Sequence, residues 1–303
     1  MNPSISLLST LKGHQGAIYA LEKGPKAGMV FTGGSDKLIT AWDLNTYQNL
    51  PFLARFPSPV YSICYVPEYS LLISGTSSGA VHLIDLVTNT ERKVLRHHTA
   101  PVFDIRYSML HKSFYTLAGD GTLALCLLES GSVTKIRKLS DAKLRQMDLN
   151  AEETEMVVAS GDGDLVFLEP TSLEIKRRFK AHEFSANAVR YHPSGKMLIS
   201  GGKDAYLKVW ELEREFHNLL SVPAHNFAIY KILFSPDSRL FASASRDKTI
   251  KIWDAGTFAL QTRIDKERNA GHVNSVNTLL WSEHPDCLVS AGDDRSVLIW
   301  KVQ

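Results

Sequence analysis

A seven-bladed, all-β propeller of four-stranded antiparallel blades is the fold class this sequence predicts, and three observations predict it. The first is a repeat. A strand-like run closes at Trp42, Ile84, Cys126, Leu168, Trp210, Trp253 and Trp300, with gaps of 42, 42, 42, 42, 43 and 47 residues. A period in the low forties is that of a four-stranded blade. The second is a fixed internal spacing. Six residues before each closing stand Asp36, Ser78, Asp120, Asp162, Asp204, Asp247 and Asp294, and 22 residues before those stand His14, Phe56, His98, Ser140, His182, His225 and His272. Length varies only from a closing to the next histidine position, as packed units joined by surface loops require. The third lies in the ends. The seventh unit stops three residues after Trp300 without an outer strand, while Ile5–Leu11 forms an outer strand without a blade. Pairing the two closes the ring and removes two exposed sheet edges.

Each element follows from its local pattern. In the sixth unit, AIYKILFSP, LFASAS and TIKIWD read as inner, second and third strands, and TFALQTRI as the outer one. Pro236-Asp237-Ser238 and Arg246-Asp247-Lys248 punctuate them. Nine residues after the histidine position an aromatic recurs (Tyr65, Tyr107, Tyr191, Phe234, Trp281), which belongs between blades. Gly33-Gly34 and Gly201-Gly202 read as blade turns rather than phosphate loops. Residues 1–303 are thus expected to form a single propeller domain.

Bulk composition sets the remaining limits. With 44% apolar and 22% charged residues, the chain is of ordinary globular make-up. It contains no apolar run of spanning length and no secretory pattern at its start, so a cytoplasmic, membrane-free protein is expected. Cys64, Cys126 and Cys287 are too few and scattered for a disulfide framework and read as reduced core thiols. A net charge of +2 argues against a surface that grips nucleic acid anywhere.

Together these residues resemble the WD-repeat family of seven-bladed propellers over essentially the whole chain. Gly13-His14 and Trp42-Asp43 carry both signature pairs, while units 5 and 7 close on Trp210-Glu211 and Trp300-Lys301. The resemblance implies a hydrogen-bonded tetrad inside a blade. Four blades supply it: His14, Thr32, Asp36, Trp42; His182, Ser200, Asp204, Trp210; His225, Ser243, Asp247, Trp253; and His272, Ser290, Asp294, Trp300. Blade 3 keeps His98, Thr116 and Asp120 with Cys126 for tryptophan. Blades 2 and 4 depart most, with Phe56, Ser78, Ile84 and Ser140, Val158, Leu168, and are expected to rely on apolar packing.

Four His/Ser/Asp groups invite comparison with hydrolase triads. A catalytic nucleophile, however, needs one exposed serine beside one base at one site. Four copies ending on an indole donor read as structural networks, so no catalytic residue is assigned. The remaining histidines, His97 among them, lack ligand-like spacing with Cys, Asp or Glu, and neither a metal nor a cofactor is expected. Ser160-Gly161-Asp162-Gly163-Asp164 lacks the length and terminal glutamate of a calcium loop and reads as a turn.

The resemblance further implies a docking platform whose usual surface is the mouth of the central channel. Three positions per blade point there. Among them are Tyr19, Tyr61, Phe103, Arg145, Asn187, Tyr230 and Asn277, five residues after the histidine position. Lys143 lies three after it, and Lys203, Arg246 and Asp293 lie one before the aspartate position. Aromatics and arginine are what interface hot spots favour, and four cations against one acid suit acidic or phosphorylated segments. A non-catalytic scaffold for proteins or peptides is expected, a monomeric propeller within a complex. The alternatives are an architectural subunit docking through its rim and a nucleic-acid-associated member. The added residues around Asp265–Ala270 are expected to form a charged loop on the same face.

Overall fold

A computed structural model describes residues 3–213, 217–283 and 285–303. The chain folds as the predicted seven-bladed β-propeller: seven antiparallel four-stranded sheets and, among the described residues, one short helix beyond a 3-10 turn. Blade 6 shows the plan. Ile229–Phe234 pairs with Leu240–Ser245, then Ile250–Asp254, then Leu260–Ile264. Its second strand is buried almost throughout, as a strand covered on both faces must be, while its outer strand is largely open to solvent.

The ends meet as the repeat requires. Ile5–Lys12 pairs antiparallel with Ser296–Val302, setting Leu7 opposite Trp300 and Thr10 opposite Leu298. Asp286–Gly292 and the inner strand Val276–Glu283 complete blade 7. Reciprocal backbone bonds between Ser4 and Gln303, at 2.7 and 3.1 Å, extend the zipper.

Two compact units make up the chain. One comprises Met1–Val60 with His225–Gln303, holding blades 1, 6 and 7; the other, Tyr61–Ala224, holds blades 2 to 5. Within each, apolar clusters form between successive blades. Leu11, Ile18, Trp42 and Val289 join blades 7 and 1, and Leu117, Leu125, Met147 and Val158 join blades 3 and 4. In the second unit, polar side chains of the inner strands stitch neighbouring blades. Asp104 accepts from Met147 N at 3.0 Å, Gln146 from Val189 N at 3.0 Å and Asp148 from Tyr191 N at 2.9 Å. Arg190 pairs with Asp148 at 2.7 Å, which keeps the half-buried carboxylate compensated.

Two local expectations are corrected. Gly34 and Gly202 end their second strands rather than forming turns. A Cβ at Gly34 would collide with the Ala17 carbonyl oxygen, and one at Gly202 with His182 and Asp204. The segment after blade 6 is a single helical turn, Lys266–Asn269, rather than a loop, because the Asp265 side chain caps it by accepting from Arg268 N at 2.9 Å.

Candidate functional site

The histidine network is continuous in four blades. His14 Nδ1 lies 2.8 Å from Asp36 and its Nε2 2.7 Å from Thr32 Oγ1, which accepts from the Trp42 indole at 2.9 Å. The same three links measure 3.0, 2.8 and 2.9 Å in blade 5, 2.9, 2.8 and 2.9 Å in blade 6, and 2.8 Å each in blade 7. Proton logic runs one way. A carboxylate only accepts, so Nδ1 donates to it, Nε2 accepts the hydroxyl proton, and the indole donates to the hydroxyl oxygen. Burial pushes the Asp204, Asp247 and Asp294 carboxyls up, but hydrogen bonds from the paired histidines and from neighbouring backbone N–H groups outweigh it and hold them below the ordinary range. Thr32, Ser200, Ser243 and Ser290 are wholly buried, so no substrate carbonyl reaches these hydroxyls. The geometry is that of an internal brace.

Blade 3 solves the same problem with different residues. His98 Nε2 meets Thr116 Oγ1 at 2.8 Å, and its Nδ1 meets Thr122 Oγ1 at 2.7 Å. Thr122 in turn donates to Asp120 at 2.6 Å. Cys126 offers no indole; instead His97 Nε2 reaches Thr116 Oγ1 at 2.9 Å. Burial, and then the neighbouring His98, push His97 down to about 4, so it stays neutral and serves as the donor. Burial also pushes the Cys126 and Cys287 thiols up to about 12, and all three cysteines are free and buried. In blade 2, Ile84 and Phe56 are buried and Ser74 Oγ has no hydrogen-bond partner among the described residues. Blade 4 is more polar than expected: Ser140 donates to Asp162 at 2.7 Å, with Arg178 3.7 Å from the same carboxylate.

Six of the eleven candidate docking residues share a structural origin. The residue five after the histidine position sits on a β-bulge of the inner strand. Pairing skips Tyr19, Phe103, Arg145, Asn187, Tyr230 and Asn277 in turn. A bulge re-aims the side chain out of the sheet alternation. In six blades the backbone N–H one residue before the aspartate position donates to the carbonyl three after the histidine position. Gly161 N to Lys143 O and Lys203 N to Ser185 O measure 2.7 Å, and Arg246 N to Ala228 O measures 3.0 Å. Each of these six blades thereby joins two of its three predicted positions.

In the second unit Tyr61 packs edge-on to Phe103 at 5.5 Å, and the Arg145 guanidinium lies 4.6 Å over the Phe103 ring. These three half-buried side chains from blades 2, 3 and 4 form one cluster, with Lys143 exposed beside Arg145 in the chain. Lys203 is exposed, whereas Asn187 is buried and accepts from Ser185 Oγ at 2.8 Å. In the first unit Asn277 donates to Ile18 O at 3.0 Å and to Asp293 at 2.8 Å, engaging the one acid of the set. Tyr19 and Tyr230 are half-buried, and the exposed Arg246 stands 5.8 Å over Phe227. Phe184 and Phe227, two after their histidines, are 52% and 56% exposed. Sequence reasoning passed over them; a large aromatic next to a loop histidine was the available signal. Among the described residues, no cluster of three His, Cys, Asp or Glu can hold a metal, and no helix is long and apolar enough to cross a membrane.

Comparison with known proteins adds two findings. A family model described as "WD domain, G-beta repeat" matches residues 5–43, 173–211, 216–254 and 266–301, about half of the chain and the four blades with complete tetrads. The chain is also similar to two proteins named eukaryotic translation initiation factor 3 subunit I. That of Scheffersomyces stipitis is 37% identical over 65 residues, 22% of this chain and 18% of the relative. That of Aspergillus oryzae is 22% identical over 217 residues, 67% of this chain and 64% of the relative. The matches thus span less than two thirds of either relative's length.

Proposed function

We propose, from the premise that the chain belongs to the WD-repeat family of β-propellers, that it is a non-catalytic scaffold docking proteins or peptides at the channel mouth. The observation that carries this reading is the Tyr61–Phe103–Arg145 cluster, an aromatic pair with a guanidinium over the Phe103 ring, in which Phe103 and Arg145 stand on bulges. Such a group offers an apolar anchor beside a planar donor, the combination that dominates interface energetics. With Lys143, Lys203 and Arg246 exposed at the paired turn positions, the preferred ligand is an acidic or phosphorylated segment.

Relatives named as subunits of a translation initiation factor support a place inside a multi-subunit assembly, and with it a cytoplasmic address. Residues 1–303 then act as one propeller domain contributing a rigid docking face.

Affinity capture with quantitative mass spectrometry, comparing wild type with Tyr19→Ala/Arg145→Ala/Tyr230→Ala, tests the reading. Partners lost only in the variant support docking at this end. Retention of every partner would move docking to the rim. Capture that depends on RNA and collapses steeply with salt would favour the nucleic-acid alternative instead.

A further inference from the structure

The outer strands of the blades differ in charge far more than the chain's balance suggests. Thr90–Arg96, Ser132–Lys138 and Ile175–Lys180 are the outer strands of blades 2, 3 and 4, all in the second unit. They carry ten lysines and arginines against the single acid Glu91, a net +9 on three strands of a chain whose net charge is +2. The other four outer strands, Ile5–Lys12, Gln48–Arg55, His217–Pro223 and Leu260–Ile264, carry three cations between them. Lysines on a sheet edge ordinarily keep it from pairing with other chains. That role does not account for the concentration, because four equivalent edges manage without it.

The basic strip is continuous across the three blades. Lys93 Nζ donates to Ser130 O of blade 3 at 2.9 Å, and Lys135 Nζ to Thr171 O of blade 4 at 2.9 Å. Each spans to the next blade, and a carbonyl partner orients a cation without neutralising it. Part of the charge is compensated: Arg177 pairs with Glu155 at 2.8 Å and Arg178 with Asp164 at 3.0 Å. Two aliphatic side chains stand among the cations, Ile136 at 51% and Ile175 at 38% exposure. The strip's aromatic, Phe179, is turned against Phe167 and Trp210 and offers no open stacking face.

We propose that this rim is a second docking surface, taking an acidic segment of a protein partner with aliphatic residues between its carboxylates. The charge selects an acidic ligand, and the exposed isoleucines select among acidic ligands. Single-stranded nucleic acid binds on exposed aromatic platforms, which these strands lack. A phosphate backbone gains nothing from an exposed isoleucine.

The test measures binding of the full chain to a labelled peptide alternating Glu with Leu and Ser. Polyglutamate, single-stranded RNA, duplex RNA and phosphatidylserine vesicles are run beside it. The mixed peptide is expected to bind best. Lys93→Glu/Lys135→Glu/Lys176→Glu is expected to weaken it about tenfold, the sum of several exposed ion pairs. Ile136→Ser/Ile175→Ser, which keeps every charge, is expected to weaken it about threefold, and both losses are expected to persist in the background of Tyr19→Ala/Arg145→Ala/Tyr230→Ala, so that a failure here is distinct from a failure of the mouth. Tighter binding of RNA or vesicles, equal binding of polyglutamate, indifference to the charge reversal or the isoleucine change, or no peptide binding at low salt would each overturn the proposal.

Discussion

In blades 1, 5, 6 and 7 the residue after the turn aspartate is Lys37, Ala205, Lys248 or Arg295, with φ of 67°, 67°, 73° and 64°. In blades 2, 3 and 4 the same place holds Gly79, Gly121 and Gly163, with φ of 86°, 79° and 92°. A side chain in the left-handed region costs about 1 kcal/mol, and glycine avoids that cost. The division coincides with the tetrads. Where the network is complete, the aspartate is pinned from several sides. Asp247 accepts from His225 Nδ1 at 2.9 Å, Asn226 N at 2.9 Å and Thr249 N at 3.0 Å. That bracing holds the strained turn. Where it is incomplete, glycine adopts the turn without strain and the next blade closes onto it, even in blade 3, where Thr99 N and Thr122 N still bond Asp120 at 2.7 and 3.0 Å. A Cβ on Gly79 or Gly121 would collide with the carbonyl oxygen of His98 or Ser140. One register thus carries two solutions, a polar brace with a tolerant turn or a glycine turn with close packing.

The largest effect separates the two groups by their aspartates. Asp247→Ala strands a buried histidine and several N–H groups and should cost about 3–5 kcal/mol in urea unfolding. Asp162→Ala removes a carboxylate whose side chain is 37% exposed and should cost about 1 kcal/mol. Equal losses would erase the distinction. Next come the turns. Gly121→Ala combines left-handed strain with a backbone collision and should cost about 2–4 kcal/mol. Ala205→Gly in a braced turn should be neutral or gain up to about 1 kcal/mol. A large loss from Ala205→Gly would show that the brace does not carry that turn's strain.

The sequence shows the braced blades more plainly than the others. Histidine, hydroxyl, aspartate and tryptophan at fixed offsets fall where the structure places them in contact, because the network lies within one repeat. Blades 2 and 4 were placed by counting alone, and their sheets occupy the predicted register. What counting missed depends on residues meeting across repeats or standing in for absent ones. His97 takes the indole's place on Thr116 in the blade where Cys126 stands for tryptophan, and nothing in its own spacing says so. Asp148 and Arg190 pair between blades, from inner strands 42 residues apart. Among the docking positions, the bulge sets one offset apart from the strand's alternation, leaving it half-buried in most blades, while Asn187, bonded by Ser185, is buried. Phe184 and Phe227 lie outside the three counted offsets.

The smallest energies give the most direct test of one register read two ways. Ser243 and Ser74 occupy the same place in blades 6 and 2. Ser243 joins a histidine to an indole, and Ser74 Oγ is buried with no partner among the described residues. In paired urea titrations, Ser243→Ala is predicted to lose about 2–3 kcal/mol, because two buried donor or acceptor groups lose their partner. Ser74→Ala is predicted to lose nothing or to gain up to about 1 kcal/mol, since it removes an unmet desolvation cost. A comparable loss from both substitutions would contradict the account.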